Sequence, residues 1–468
     1  MFVNRRRELR SLNDRYSGRQ AELFVLYGRR RTGKSALLRQ WCQDKPHIYF
    51  LASQVRERDN LEQFRATLEA ERPDPLLASM QFTNWDVALT YLTQIARREQ
   101  FIVVFDEFPY LCQENPALPS ILQRWWDTTG KQTQMFLVLC GSHIGFMEQE
   151  VLAERSPLYG RRTGQARLGP LLPWDAGLFF PKYPARALLT TYGLLGGIPA
   201  YLERFDPGRD VRANVLREML DPHGFLFDEV QFLLRTELTQ IATYLSLLKA
   251  VAGGATRLSE MASRAGIPAN AAAKYVGILR DMGLLRREVP VTETQPEKSK
   301  RGIYRIQDPY IAFWCRFLLP YQSLIQAGQG ETVWQEFITP SLDTYLGEVF
   351  EEVCRQYVMC GGPALGEMLP RRVGRWWSGD TELDILAEMS DHGARVVVAG
   401  ECKWWKRPVG MNIVEDLRRK VLMLPDAWQD SVRLLLCSAS GFTPEVRALA
   451  DPERLLLIDV ERVMSPRE

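Results

Sequence analysis

Eight consecutive residues near the start of the chain have the types and spacing of a phosphate-binding loop. Residues 28–35 read Gly-Arg-Arg-Arg-Thr-Gly-Lys-Ser and match the pattern GxxxxGK[ST]. In such a loop, glycines let backbone N–H groups wrap phosphates, Lys34 reaches the β- and γ-phosphates, and Ser35 ligates Mg²⁺. A strand-like run, 23–27, precedes the pattern and a helical run follows it, which makes a mere glycine-rich turn the weaker alternative. We predict that ATP and Mg²⁺ bind at Gly28, Arg29, Arg30, Arg31, Thr32, Gly33, Lys34 and Ser35.

A second apolar run ends in two acids, as a P-loop site needs. Residues 101–105 read Phe-Ile-Val-Val-Phe and lead into Asp106 and Glu107. Asp106 would hold the Mg²⁺ through water, and Glu107 would polarise the attacking water. A third run, 135–140, leads to Ser142, which could sense the γ-phosphate or could simply be a cap or turn residue.

The carboxy-terminal part places acids and a lysine at a spacing that suits metal-dependent phosphodiester cleavage. In a strand over 395–403, Glu401 and Lys403 point to one face because they are two residues apart. The preceding strand, 381–388, carries Asp384, so the three side chains can converge. Two such carboxylates suit a hard divalent cation, and a nearby lysine can orient or acidify the attacking water. The alternative is an ordinary surface salt bridge between two strands.

The elements that must position these residues predict an α/β protein. Apolar strand-like runs alternate with helix-length stretches from 22 to 164, which favours a parallel sheet covered on both faces. Residues 165–243 contain few strand candidates and several Pro and Gly breaks, and so predict a helical appendage. Two short helices, a strand, a polar loop and a strand over 258–306 have the outline of a winged helix. Residues 342–460 predict a second α/β domain.

Composition limits the remaining classes of protein. With 46% hydrophobic and 25% charged residues the chain is typical of soluble globular proteins, and its net charge of +2 gives no general argument for a nucleic-acid partner. Eight cysteines form no CxxC pair and the four histidines are scattered, so we expect buried cysteines rather than a zinc site or disulfides. No apolar run approaches the roughly 18 residues that span a bilayer. We expect a cytoplasmic protein with no membrane partner.

The local charge of one segment is more informative about a DNA partner than the net charge of the whole chain. Residues 258–317 hold ten basic and six acidic residues, and Lys298, Lys300 and Arg301 lie in the predicted wing, where they could contact phosphates. The predicted recognition helix, 269–281, is rich in alanine and would read few base edges, so packing between domains is an equal alternative for this part.

Cations also lie beside paired tryptophans near the carboxy-terminal acids. The pairs Trp376-Trp377 and Trp404-Trp405 could stack on bases, and the alternative is that they pack in the core. We expect one indole of each pair to be buried.

The amino-terminal motifs resemble those of the archaeal-type ATPase family, in the STAND/AAA+ branch of P-loop NTPases. The resemblance rests on the opening Phe-Val-Asn-Arg-Arg-Arg-Glu-Leu at 2–9, the phosphate loop, Ser-Pro-Leu-Tyr-Gly-Arg at 156–161, and Gly-Gly-Ile-Pro at 196–199. It implies that Pro199 packs near the adenine and that Arg161 or Arg162 serves as an arginine finger in trans within a homo-oligomer. A solvated surface arginine is the alternative for either residue.

The carboxy-terminal motifs resemble the PD-(D/E)XK nuclease superfamily, in the form found at the end of this ATPase family. They are Gly347-x-x-Phe350-Glu351, Asp384 and Glu401-x-Lys403, although Leu383 stands where many members have proline. The resemblance implies metal ligation by Glu351, Asp384 and Glu401, and a degenerate member would keep the fold while losing ligands. We therefore divide the chain into an ATPase core (1–164), a helical lid (165–243), a winged helix (244–325) and a nuclease-like domain (326–468).

Together these motifs predict an ATPase whose nucleotide state controls a Mg²⁺-dependent DNA nuclease. The alternative is a nucleotide-switched regulatory or scaffold protein that binds DNA or partner proteins without cleaving. A transcriptional regulator acting through the winged helix fits the alanine-rich recognition helix poorly.

Overall fold

Continuous apolar strands form the centre of the first of two units into which the chain divides. The structure is a computed structural model that describes residues 2–465, and the first unit comprises residues 2–170 and Ile198–Ala200. Its strands are β1 (Glu22–Tyr27), β2 (His47–Leu51), β3 (Phe101–Asp106), β4 (Met135–Gly141) and β5 (Gly164–Arg167). All pair in parallel, in the order β2-β3-β4-β1-β5, which confirms the predicted α/β class and parallel sheet.

Helices pack on both faces of this sheet because its strands are apolar on both sides. Along β1, Leu23 and Val25 face one core, while Phe24 and Leu26 face the other. The helices of eight or more residues in this unit are Arg6–Ser17, Lys34–Cys42, Glu57–Glu71, Trp85–Ala96 and Leu118–Thr128. With β1 and β3 parallel, the phosphate loop and the two acids lie at the same edge of the sheet.

Two strands of the sheet, β2 and β5, were not among the three predicted runs. Strand β5 has the sequence Gly-Gln-Ala-Arg, with none of the apolar continuity of β1, and it pairs with β1 as the edge of the sheet. The sheet therefore continues past residue 164, where we placed the end of the ATPase core. An edge strand needs no apolar run because only part of it is covered.

The second unit comprises Leu171–Gly197 and residues 201–465. Its helices of eight or more residues are Ala185–Leu195, Val211–Glu218, Glu229–Glu237, Ile241–Ala252, Leu258–Ala265, Ala269–Asp281, Thr339–Met359 and Met411–Val421. The antiparallel strands β6 (Leu285–Glu288) and β7 (Ile303–Ile306) follow the predicted recognition helix, in the order expected of a winged helix. The division of this unit into lid, winged helix and nuclease-like domain stays a prediction.

A mixed sheet forms the carboxy-terminal part of the second unit. Its strands are β8 (Leu369–Ser378), β9 (Thr381–Asp391), β10 (Ala394–Lys403), β11 (Val432–Ser438) and β12 (Leu455–Asp459), in the order β12-β11-β10-β9-β8. Strands β8, β9 and β10 are antiparallel, whereas β10, β11 and β12 are parallel. Helix Thr339–Met359 packs against β8, β9 and β10, and it carries Glu351 to this sheet.

No helix among residues 2–465 is long and apolar enough to cross a membrane.

Candidate functional sites

The phosphate loop follows β1 with a backbone that depends on its glycines. Gly28 has φ +151°, and a Cβ there would lie 2.3 Å from the carbonyl oxygen of Leu168. Gly33, with φ +91°, turns the chain into helix Lys34–Cys42. Lys34 is buried, and its Nζ donates to the carbonyl oxygens of Gly28 at 2.8 Å and Arg29 at 2.9 Å. The loop thus wraps the ammonium group, in the arrangement through which a P-loop lysine meets phosphate oxygens.

Other predicted loop residues are held by side-chain contacts. Thr32 Oγ1 donates to the Arg29 carbonyl oxygen at 2.8 Å, and an Arg30 guanidinium nitrogen donates to the Tyr110 hydroxyl at 3.0 Å. Arg31 has a positive φ of 68° in the middle of the loop. Pro199 lies beside the loop, with its Cγ 3.7 Å from the position a Gly33 Cβ would take.

Asp106, at the end of β3, is the centre of a compact hydrogen-bonded group. Ser35 Oγ donates to Asp106 Oδ2 at 2.6 Å, and the Tyr49 hydroxyl donates to the same oxygen. Burial, and next the charge of Asp106, raise the pKa of Tyr49 well above its ordinary value, so Tyr49 stays a proton donor. Ser35 and Asp106, predicted to share one Mg²⁺, are therefore in direct contact. Sequence reasoning missed Tyr49, whose only signal is its place on the strand next to β3.

Glu107 and Ser142 are brought together from the ends of neighbouring strands. Glu107 has φ +54° and ψ +43°, a left-handed conformation that is uncommon outside glycine, and Ser142 Oγ donates to its carboxylate. In this structure Ser142 thus contacts Glu107, which sequence analysis placed beside the attacking water. This left-handed residue lies between the end of β3 and the helix Phe108–Glu114.

Arg5, to which the sequence analysis gave no role, hydrogen-bonds to the backbone of the phosphate loop. Its guanidinium donates to the carbonyl oxygens of Thr32 at 3.0 Å and Gly169 at 2.7 Å, and only 9% of the residue is exposed. The signal for it was the arginine-rich opening of the chain, which we used only as part of a resemblance.

The two candidate finger arginines have partners within their own unit. Arg161 pairs with Asp127, with Nη2 at 3.0 Å from Oδ2, and Arg162 donates to the Leu152 carbonyl oxygen at 3.1 Å. A finger acting in trans would have to release these contacts.

Three carboxylates converge in the second unit. One oxygen of each of Glu351, Glu382 and Asp384 lies within 4.8 Å of the others. Glu351 comes from helix Thr339–Met359, and the other two project from β9. The predicted pair Glu351 and Asp384 is thus joined by Glu382, which sequence analysis missed. Its signal was available, since Glu382 lies two residues before Asp384 and alternation puts both on one face of the strand.

Glu401 is not part of that carboxylate group and is held by lysines. Lys403 Nζ lies 2.6 Å from one of its oxygens and Lys420 Nζ lies 2.7 Å from the other, while Glu401 itself is 2% exposed. Asp384 stays close to this strand because its Oδ2 accepts the backbone N–H of Cys402 at 2.8 Å. Lys420, on helix Met411–Val421, is a second lysine that the motif did not include.

Burial and neighbouring charges shift the pKa values of the ionisable groups in this region. Burial, and then the nearby Asp384, raise the pKa of Glu351 to about 7 despite Arg375 and Arg355. Burial and Asp384 also raise the pKa of Glu401, against the effect of Lys403. Burial lowers the pKa of Lys403, but Glu401 and Asp384 raise it by more. Burial is thus the main cause of both raised carboxyl pKa values, and the charge of Asp384 is the second.

Arg375 takes part in this charge balance. It is 7% exposed, and its guanidinium contacts Glu382 and lies 3.5 Å from Glu351. Two of the three converging carboxylates therefore have a cationic partner in the chain itself.

Some of the ten basic residues counted in the winged-helix region pair with acids, and others are exposed. Arg286, Arg305 and Arg316 turn inward and pair with acids of helix Thr339–Met359, at 2.7, 3.1 and 3.6 Å. Lys298 and Lys300 are exposed. Three of the ten basic residues are therefore paired with acids outside the counted segment, and DNA binding by this part stays a prediction. The expected burial of one indole per pair is confirmed for Trp376 and Trp404, at 2% and 6% exposure.

Comparison with known proteins assigns the amino-terminal half. Residues 2–205 match the family described as an ATPase domain predominantly from Archaea, and residues 314–415 match a family described as archaeal and bacterial proteins of unknown function. The uncharacterized protein MJECL04 of Methanocaldococcus jannaschii is 34% identical over 428 residues, which are 90% of this chain and 92% of that protein. The chain belongs to the same family as that protein, and residues 2–205 carry the ATPase domain. The nucleotide-binding ATPase class predicted from the phosphate loop is confirmed.

Two further similar proteins have descriptions that bear on the predicted ATPase activity. The uncharacterized ATP-binding protein MJ0423 of the same organism is 44% identical over 45 residues, 10% of this chain and 76% of that protein. The solved structure of the Walker-type ATPase PABY2304 of Pyrococcus abyssi has a TM-score of 0.50 at 21% identity and covers 67% of this chain and 96% of that one, which is a likeness in fold. None of these descriptions includes a nuclease, so the function of the carboxylate cluster stays a prediction for this ATPase.

Proposed function

We propose that this ATPase hydrolyses ATP at the phosphate loop and that its nucleotide state controls Mg²⁺-dependent cleavage of DNA at the carboxylate cluster. The observation that supports the second half is the convergence of Glu351, Glu382 and Asp384 within 4.8 Å, with the Glu401–Lys403 pair at the end of the adjacent strand.

At the phosphate loop, the residues divide the work of phosphoryl transfer. Lys34 would balance charge on the β- and γ-phosphates, and Glu107 would orient the attacking water while Ser142 fixes its carboxylate. Ser35 and Asp106 fit a Mg²⁺ ion because a hydroxyl and a carboxylate oxygen, both hard donors, already lie 2.6 Å apart. When bound, Mg²⁺ would neutralise charge that develops on the phosphates.

At the carboxylate cluster, the donor set suits a hard cation because all its atoms are oxygens. Glu351, Glu382 and Asp384 would hold Mg²⁺, and burial, with Asp384 as the second cause, raises the pKa of Glu351. When bound, the ion would polarise a phosphodiester oxygen. Glu401 would keep Lys403 in place, and Lys403 would orient the attacking water at the strand end.

A second candidate function is favoured by the ion pairs of Arg375. Because this arginine contacts both Glu351 and Glu382, it could keep the cluster free of metal, and the domain would then bind DNA or a partner protein without cleaving it. ATP would in that case switch an assembly rather than a nuclease.

A cleavage assay on the full chain separates the two functions. Plasmid and branched DNA are incubated with Mg²⁺ or Mn²⁺, with and without ATP. We expect cleavage that depends on both metal and ATP, and that Asp384→Asn and Lys403→Met abolish. Lys406→Met is the matched control, because Lys406 is exposed and lies outside the cluster.

The variants also test whether ATP controls the cleavage. In Lys34→Ala, added ATP should no longer stimulate DNA cleavage. In Asp384→Asn, ATP hydrolysis should stay intact. DNA binding without cleavage in either metal would favour the switch, and cleavage that survives Asp384→Asn would exclude this cluster as the site.

A further inference from the structure

Three cysteines meet in the interior of the second unit, on the side of the sheet covered by helix Thr339–Met359. One comes from that helix, Cys354, and two from the neighbouring strands β10 and β11, Cys402 and Cys437. Their sulfur atoms all lie within 4.8 Å of one another. Cys402 and Cys437 are direct partners in the parallel register of the two strands, so the sheet itself sets this pair side by side.

The surroundings of the three sulfurs differ from those of the other cysteines. All three residues are buried, at 0%, 6% and 2% exposure. Among residues 2–465 no other group of three metal-binding side chains contains a cysteine. Cys315, in the same unit, is equally buried at 1% but belongs to no such group. Burial alone therefore does not bring thiols together in this unit.

The cluster also has positive charge beside it. Arg355 follows Cys354 in sequence, is 6% exposed, and donates to the Asp384 carbonyl oxygen at 2.9 Å. Thiolates bound to a divalent cation in a three-sulfur site carry a net negative charge, which is costly in a protein interior unless a cation lies nearby. The guanidinium of Arg355 is the cation that follows Cys354 along the chain, and it also pairs with Glu352 at 3.0 Å.

We propose that Cys354, Cys402 and Cys437 form a structural site for a thiophilic d¹⁰ cation, Zn²⁺ or Cu⁺. Thiolates select these ions over Mg²⁺, whereas the nearby carboxylates have the opposite preference. Bound metal draws sulfurs to about 4 Å apart, given metal–sulfur bonds of about 2.3 Å, which the present spacing approaches. The sequence analysis expected buried cysteines rather than a zinc site, and this proposal goes beyond that expectation.

The site lies where it would fix the geometry of the carboxylates. Cys402 is next to Glu401 and its N–H binds Asp384, while Cys354 is one helical turn from Glu351. A metal joining the helix to both strands would hold these elements in register, and it would stabilise the second unit by binding only the folded state.

Metal analysis of the purified full chain tests the proposal without any variant. We expect one equivalent of zinc or copper per chain, and chain refolded with Co²⁺ alone should show thiolate-to-cobalt charge-transfer absorption if the site prefers Zn²⁺. Refolding with Cu⁺ alone under anaerobic conditions identifies a copper site by its near-ultraviolet absorption. Folded protein that neither contains nor takes up these metals overturns the proposal, as does a disulfide between two of the three cysteines in freshly isolated protein.

Variants then assign the metal to these residues. Cys437→Ala should lose the bound metal and lower the melting temperature of the second unit, while Cys315→Ala should keep the metal. ATP hydrolysis and circular dichroism show that each variant has folded. Metal retained in folded Cys437→Ala, or lost equally in Cys315→Ala, contradicts the assignment.

Discussion

The phosphate loop and the carboxylate cluster differ in how far apart in the chain their residues lie. Eight consecutive residues make the loop itself, and only the residues that face it, Asp106, Glu107 and Ser142, come from the ends of β3 and β4, 71 residues or more beyond Ser35. The cluster takes Glu351 from a helix and Glu382 and Asp384 from a strand about thirty residues later. A local site depends mostly on its own backbone, whereas an assembled site depends on every element that packs its parts together.

The contrast also extends to electrostatics. Asp106 in the first unit is satisfied by hydroxyl donors from Ser35 and Tyr49. In the second unit, Glu351 and Glu401 face other acids and depend on arginines and lysines for balance. The charge state of the carboxylate cluster therefore depends on its neighbouring arginines and lysines, and a substitution in one of them would change it.

The largest effect is expected at the local site. Lys34→Ala should lower ATP hydrolysis by about 100-fold or more, since it removes a fixed charge aimed at the transferred phosphate. Steady-state release of inorganic phosphate measures this, with Lys45→Ala as a half-buried lysine control from the same unit. Hydrolysis unchanged in Lys34→Ala would mean that the loop is not the catalytic site.

A second substitution should damage only the assembled site. Glu352 is partly buried, with 25% of its side chain exposed, and its carboxylate lies 2.7 Å from Arg286 and 3.0 Å from Arg355. Glu352→Gln weakens the charge-assisted hydrogen bonds to Arg286 and Arg355 and should cost about 2 kcal/mol of unfolding free energy. Thermal or urea unfolding at pH 7 measures the cost, ATP hydrolysis should persist, and the exposed Glu336→Gln is the control.

The same ion pair gives a definite pH dependence. Burial raises the pKa of Glu352, but Arg286 and Arg355 lower it by more, to about 2 from an ordinary 4.5. Its stabilising contribution is therefore present above pH 4.5 and is lost as the pH falls toward 2. The stability difference between wild type and Glu352→Gln should shrink over that window, and a difference that stays constant would contradict the assigned pKa.

A smaller effect is expected at Lys420, which shares Glu401 with Lys403. Lys420→Ala should reduce the proposed DNA cleavage by about tenfold, because Glu401 loses one of two charge-assisted hydrogen bonds while Lys403 keeps its own. Arg418→Ala, exposed on the same helix, serves as the control. Complete loss in Lys420→Ala would instead make it the principal lysine of the site.

The smallest effect should follow from trimming the Asp106 group. Tyr49→Phe removes one donor to Asp106 and keeps the ring, so it should cost about 1 kcal/mol of stability and leave Ser35 and the Glu107 N–H as donors. Unfolding curves measure the cost. If ATP hydrolysis falls as far as in Lys34→Ala, Tyr49 has a direct role that this geometry does not include.

Much of this molecule was predictable where the signal is local. The predicted recognition helix matches helix Ala269–Asp281, and the apolar runs match β1, β3 and β4 within a residue. Strand β5 was missed because its four residues carry no apolar pattern and are held by pairing with β1. Glu382 was missed through attention to a motif, although strand alternation already indicated it.

The sequence by itself determined the phosphate loop, the acids that follow β3 and the α/β class, because each depends on contiguous residues and on the period of strands and helices. Only the tertiary structure decided which acids share a site, which arginines turn inward, and that three distant cysteines meet. Those outcomes depend on how helix Thr339–Met359 packs on its sheet. Such packing brings together side chains whose spacing along the chain carries no periodic signal.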